Sequence, residues 1–287
     1  MTGYADGSWL SGDGLRLHYR DYPGRDDRPP IVCIPGLTRN ARDFEGVAER
    51  LAGDWRLICV DLRGRGDSEH AADSASYAPP VYVDDVERLI AAVGLSRFVV
   101  FGTSLGGLIA MLLAWRDARR FAGVLLNDVG PVLEPQGLER ILSYVGVPQT
   151  WSSWDEAAAS FAAAHGDVYP DWPRERWHLH ARRLCKALPE GGIALDYDMR
   201  IADPIRAAAP AAAAFDLWPA LRALDGVPAL LLRGALSDLL GEHTAARMAA
   251  EVGTLETMTV PRVGHAPTLE EPEAIAAIDR LLARVEA

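Results

Sequence analysis

Six short apolar runs, at residues 31–34, 57–60, 98–101, 124–127, 229–232 and 257–260, constrain the fold more than any other feature of the chain. Runs of this length suit strands buried on both faces, as in a parallel sheet covered by crossover helices. The stretches between them agree. Residues 41–52 place Phe44, Val47, Ala48 and Leu51 on one helical face, and residues 83–93 do the same with Val86, Leu89, Ile90 and Val93. Residues 105–115 are apolar nearly all round, as a helix at the centre of a sheet must be, and residues 275–285 form an amphipathic closing helix. Residues 15–22 alternate apolar and polar after Gly12-Asp13-Gly14, which predicts an antiparallel ribbon at one sheet edge. The expected fold class is α/β, a doubly wound, mostly parallel sheet.

One interval breaks the alternation. Residues 131–219 hold no convincing strand but contain alanine-rich helical stretches, several prolines and five tryptophans, so a helical insertion between two parts of the core, 1–130 and 220–287, is expected. The alanine run at 207–214 reads as helix, because alanine is the best helix former. A net charge of −11 argues against nucleic acid or an anionic membrane as partner, since both demand a positive field. Three cysteines, two of them in apolar runs, suggest neither a disulfide framework nor a zinc site, and no metal is expected. The N-terminal residues lack a basic start and an apolar core, so the default expectation is a cytoplasmic protein, with self-association left open.

The chemistry concentrates in Gly102-Thr103-Ser104-Leu105-Gly106, set between an apolar strand and an apolar helix. Such a Gly-x-Ser-x-Gly turn lifts a serine clear of the sheet, and the glycines remove side chains that would strike neighbouring backbone. A serine hydroxyl needs a base, and His265, in a short loop after the 257–260 run, is the best placed of seven histidines. A carboxylate must then fix the imidazole tautomer. Asp238, just past the 229–232 run, gives the order Ser, Asp, His and is preferred to its competitor Asp128. For a developing oxyanion, Leu105 supplies one backbone N–H, and Leu37, in Pro35-Gly36-Leu37-Thr38-Arg39, is the candidate for the second. The reaction such a set performs is acyl transfer to water.

These residues also carry a resemblance. The strand leading into Pro35-Gly36-Leu37, then Asp61 through Ser68, the serine turn and Gly264-His265 resemble the capped α/β-hydrolase family in order and spacing, over about residues 10–285. The resemblance implies an eight-stranded sheet, a helical cap after the sixth strand, a pocket between cap and sheet, and no cofactor. It implies the same roles for Ser104, Asp238 and His265. Many relatives have His-Gly where this chain has Pro35-Gly36, and relatives that open epoxides or remove halides carry Asp where this chain has Ser104.

The expected substrate is a small-molecule carboxylic ester or lactone. Enol-lactone cleavage, carbon–carbon bond hydrolysis, perhydrolysis and a low-turnover ligand receptor use the same scaffold and remain alternatives. Trp151, Trp154 and Trp177 are candidates to line the pocket, though aromatic residues equally pack an insertion onto a sheet. Arg39 either pairs with a substrate carboxylate or forms an ordinary strand-end ion pair. His178 and His180 read as surface residues, and Arg65-Gly66-Asp67 as part of a turn.

Overall fold

A computed structural model describes residues 3–208 and 216–286. In chain order its elements are β1 (Ala5–Leu10), β2 (Arg16–Tyr22), β3 (Ile31–Ile34), α1 (Glu45–Leu51), β4 (Leu57–Asp61), α2 (Pro79–Ala92), β5 (Phe98–Thr103), α3 (Leu105–Asp117) and β6 (Phe121–Asn127). There follow α4 (Pro135–Tyr144), β7 (Thr150–Trp151), α5 (Trp154–His165), α6 (Arg174–Leu184), β8 (Cys185–Ala187), β9 (Ile193–Leu195) and α7 (Ala202–Ala208). The chain closes with α8 (Trp218–Arg222), β10 (Ala229–Gly234), α9 (Glu242–Glu251), β11 (Leu255–Val260) and α10 (Pro272–Glu286).

All six apolar runs become strands of one eight-stranded sheet, ordered β1-β2-β4-β3-β5-β6-β10-β11. The β1-β2 and β2-β4 pairs are antiparallel and the rest parallel, so the ribbon expected at one edge is there. Alternation along each strand divides the core in two. In β3, Val32 and Ile34 face the apolar layer containing α2, α3 and α8, while Ile31 and Cys33 face the layer of α1 and α10. β3, β4, β5, β6 and β10 are covered on both faces, which is why they read as continuous apolar runs, whereas β11, at the sheet edge, leaves Thr257 and Thr259 exposed and departs from that expectation.

Between β6 and α8 the chain leaves the sheet. This stretch is mainly helical, but it also contains strands that the sequence reading missed: β7, β9 and β8 make a small antiparallel sheet. With two or three residues each, they are too short for a period of two to show. Trp218 and Leu221 of α8 are buried in the α3 layer, so the return to the core begins there. Of the alanine run, α7 includes residues 207 and 208, and 209–214 lie outside the described residues. Among the described residues, no helix is long and apolar enough to cross a membrane.

Candidate active site

β5 ends at Thr103 and α3 starts at Leu105, so the chain must reverse at Ser104, which takes φ 52° and ψ −116°. A non-glycine residue held there costs roughly 1–3 kcal/mol and persists only if its surroundings enforce it. They do so by close backbone approach. A β-carbon on Gly106 would lie 2.0 Å from the Ile34 carbonyl oxygen, and one on Gly102 would lie 2.5 Å from the Gly106 oxygen. The turn also leaves Leu105 as the first residue of α3, whose N–H has no partner within the helix.

His265 meets this serine. Its Nε2 lies 2.9 Å from Ser104 Oγ, and its Nδ1 lies 2.7 Å from Asp128 Oδ2. Asp128 is fully buried and further held by two donors, the Gly234 N–H at 2.8 Å on Oδ1 and the Ser237 hydroxyl at 2.6 Å on Oδ2. A carboxylate with these partners is pinned in orientation, and it accepts a hydrogen bond from Nδ1–H, the tautomer that leaves Nε2 free towards the serine.

The structure therefore corrects the expectation for Asp238. That residue lies beyond a turn after β10, where Arg140 of α4 takes both of its oxygens at 2.5 and 2.8 Å. The Arg140 hydrogen bonds hold its carboxyl below the usual value, against the opposing effect of burial. Strand register explains the choice. Thr103 of β5 pairs with Asn127 of β6, so Ser104 and Asp128 leave adjacent strands at the same level.

The loop after β3 lies alongside the serine. A β-carbon on Gly36 would sit 3.6 Å from Ser104 Cβ, and the Arg39 N–H donates to the Gly36 carbonyl at 3.1 Å to close a turn. Arg65, fully buried, donates from Nε to the Leu37 carbonyl at 2.8 Å and so fixes the plane of the Leu37–Thr38 peptide. Arg39 makes a two-point pair with Asp43, Nε to Oδ2 and Nη2 to Oδ1, each at 2.6 Å. Burial opposes the Arg39 charge, but Asp43 more than restores it and raises the guanidinium pKa.

A cavity lined by Ser104, His265 and Arg39 is roofed by side chains from residues 140–184, Tyr144, Tyr169 and His180 among them. None of the three tryptophans expected to line it does so. Trp151 packs on Phe161, Trp154 lies under the Arg182 guanidinium, and Trp177 is edge-on to Trp172, the tryptophan that does reach the cavity. His180, read as a surface residue, is instead buried among Phe161, Tyr169, Trp172 and Trp177. It is held well below the usual imidazole pKa, by burial first and by Arg39 next. His165, also in the cavity wall, is lowered to about 4 by burial and by the Arg140 and Arg39 charges. His178 pairs with Asp155. Among the bonds that join the roof to the loop of His265, two flank the histidine itself: Gly264 N–H to the Val168 carbonyl, and the Tyr169 hydroxyl to the Ala266 carbonyl, both at 2.8 Å.

One trio of ligand-type side chains, His18, Asp61 and Asp67, lies together among the described residues. Both His18 nitrogens are already occupied, Nδ1 by Asp61 at 2.7 Å and Nε2 by Asp6 at 2.9 Å, and Asp61 also accepts the Ala41 and Asp67 N–H groups. This is a structural knot with no nitrogen left for an ion.

The fold finds its counterpart in known proteins. A model described as the alpha/beta hydrolase family matches residues 31–278. The chain belongs to that family. Among solved structures, this α/β hydrolase superposes on one from Novosphingobium aromaticivorans with a TM-score of 0.95, at 52% identity and 99% coverage of both chains. It is 40% identical to the 3-hydroxybutyrate-oligomer hydrolase of Cupriavidus necator over 93% of either chain. It is 25% identical to a 2-(acetamidomethylene)succinate hydrolase of Mesorhizobium japonicum, covering 85% of this chain and 84% of that one.

Proposed function

We propose that this α/β hydrolase is a serine esterase acting on small carboxylic esters of hydroxy acids. The observation that carries the reading is the continuous hydrogen-bonded row Ser104, His265, Asp128, opening into a roofed cavity. His265 Nε2 takes the Ser104 proton as Oγ attacks the ester carbonyl, and Asp128 stabilises the resulting imidazolium without itself taking the proton. The Leu37 and Leu105 N–H groups hold the oxyanion, at about 2.7–4 kcal/mol for a donor of this kind. The carbon–oxygen bond to the alcohol then breaks, and the alkoxide leaves with the proton from His265. Water, deprotonated by the same nitrogen, releases the acid and restores Ser104.

The substrate class draws on the relatives. A 3-hydroxybutyrate oligomer is a chain of esters ending in one carboxylate, and a succinate is likewise an acid; that family background and the arginines in the cavity wall favour an acid-bearing substrate. The roof, in this reading, is the cap that sorts substrates. A fluorophosphonate probe followed by peptide mapping tests the chemistry: labelling confined to the peptide of Ser104, lost in Ser104→Ala, is the expected result. Labelling elsewhere, or retention of ester turnover in that variant, removes the proposal.

A further inference from the structure

We infer that Arg39 anchors a substrate carboxylate on the leaving-group side of the ester, so that the enzyme cuts the ester bond next to the free-acid end of a short hydroxy-acid oligomer. This deepens the serine-esterase reading above and rests on it.

Position comes first. A β-carbon on Gly36 would lie 3.4 Å from Arg39 Cγ and 3.6 Å from Ser104 Cβ, so the stems of the guanidinium and of the nucleophile flank a single glycine. Of the arginines in the cavity wall, Arg39 is the one on the loop that adjoins Ser104.

Donor geometry comes second. The guanidinium has five N–H groups on three nitrogens. Asp43 uses one on Nε and one on Nη2, and His180 Nε2 stands 3.4 Å from Nη1. With His180 taking one Nη1–H, one N–H remains on each of Nη1 and Nη2 for a second carboxylate, the planar two-point partner for which arginine is suited. Asp43 fixes the guanidinium plane before any ligand arrives.

The field agrees. Arg39, Arg140, Arg176 and Arg183 line the cavity, and Asp43 is the one acidic side chain among the described lining residues. Behind the wall, Asp238 pairs with Arg140, and Glu270 serves both Arg176 and Arg183, while Glu45 stands closer to Arg20 than to Arg183. Three carboxylates thus serve the four guanidinium groups of the wall, and Asp128 lies apart from them behind His265.

Chain chemistry then gives the direction of cutting. An oligomer of a hydroxy acid has one carboxylate, and it lies on the alcohol side of every ester bond in the chain. In the last ester of a 3-hydroxy acid, four bonds, about 5 Å, separate the carboxylate carbon from the reacting carbonyl carbon; one unit further in, the separation roughly doubles. An anchor rooted beside the nucleophile therefore selects the terminal ester. Its C–O bond breaks, the monomer leaves as a hydroxy acid with the His265 proton, and the shortened chain stays on Ser104 until water releases it.

The test compares the linear dimer of 3-hydroxybutyrate with its methyl ester, whose scissile bond is the same and whose carboxylate is masked. In the wild-type protein kcat/KM for the acid exceeds that for the methyl ester, and the ratio falls on the order of 10- to 100-fold in Arg39→Gln. Because Asp43 would lose its partner, the double variant Arg39→Gln/Asp43→Asn is measured beside it, with thermal melting to show that both are folded. The exposed Arg25→Gln keeps the wild-type ratio. A ratio unchanged in both Arg39 variants, or equal turnover of acid and methyl ester by the wild type, overturns the anchor while leaving the esterase reading intact. Turnover of p-nitrophenyl acetate without turnover of the dimer also overturns it. If p-nitrophenyl acetate is not cleaved and the fluorophosphonate probe does not label Ser104, it is the esterase reading that fails. A second readout needs no variant: free 3-hydroxybutyrate competes with p-nitrophenyl acetate, its methyl ester does so at least tenfold more weakly, and equal inhibition counts against the anchor.

Discussion

The eight-stranded sheet and the 131–217 segment above it are held together by different forces. In β3, β4, β5, β6 and β10 every residue but Thr103 is buried, most of them apolar, and Phe101 and Leu232 have no exposed surface. The segment shares in both apolar clusters, through Val145, Tyr197 and Ile201 in one and Phe161, Trp177 and Leu184 in the other, but it adds ion pairs with the core: Arg140 to Asp238, Arg176 and Arg183 to Glu270, and Arg42 to Asp196. Its own interior is a stack of aromatic rings around His180. Dispersion and burial reward any well-filled core, whereas ion pairs and ring stacks depend on particular partners.

The largest effects should come from the sheet end, where chemistry is assigned to Ser104, His265 and Asp128. Ser104→Ala is expected to lose on the order of 10⁶ in kcat and Asp128→Asn about 10⁴, whereas Asp238→Asn, which only disturbs the Arg140 tie, should lose less than about tenfold. Steady-state kinetics on folded variants decide it, and the opposite ranking of the two aspartates would return the acid to the strand end after β10. Stability should separate the two regions next. Phe101→Ala in the sheet should cost about 3–5 kcal/mol, and Trp154→Ala in the segment, where one face stacks under Arg182, about 1 kcal/mol. Urea unfolding measures both; similar losses would mean that the segment is as tightly built as the sheet.

Histidines provide the third contrast, because their signs are opposed. His165 of the segment has a folded pKa near 4 against about 6.5 unfolded, so its contribution is complete above 6.5 and drains away as pH falls towards 4. Between pH 7 and 4.5 the wild type should lose about 2 kcal/mol more than His165→Gln. His18 of the sheet edge is raised: burial lowers it, but its bonds to Asp61 and Asp6 outweigh that. Its contribution is present below the unfolded value and fades as pH rises through the folded one. The stability difference between wild type and His18→Gln should therefore shrink in mild alkali. Equal pH profiles for both variants would dissolve the distinction.

The same contrast explains what the sequence made legible. Strands buried on both faces announce themselves as apolar runs, and the structure lengthens those runs by at most a few residues, as when 124–127 becomes β6 (Phe121–Asn127). The serine turn is legible because its glycines are required by contacts that a β-carbon would block. Asp128 was the weaker candidate because chain order permits either strand end, and the decisive fact, that Thr103 and Asn127 pair across β5 and β6, is a register no single strand encodes. Its signal was present in another form: Asp128 follows β6 immediately, as Ser104 follows β5. Asp238 comes four residues after the end of β10 and meets a guanidinium from a distant helix. In the segment, the tryptophans and His180 could be sorted into wall and filling only by the ring contacts themselves.

The two bonds that tie Gly264 and Ala266 to Val168 and Tyr169 bracket His265 on either side. The roof is thus also a splint. Lifting it away would break these two bonds and leave the loop held from the core, by the Asn127 side chain on the Pro267 carbonyl and the Leu236 N–H on the Val263 carbonyl. Roof and core therefore share this one loop, and the setting of the His265 ring rests on both.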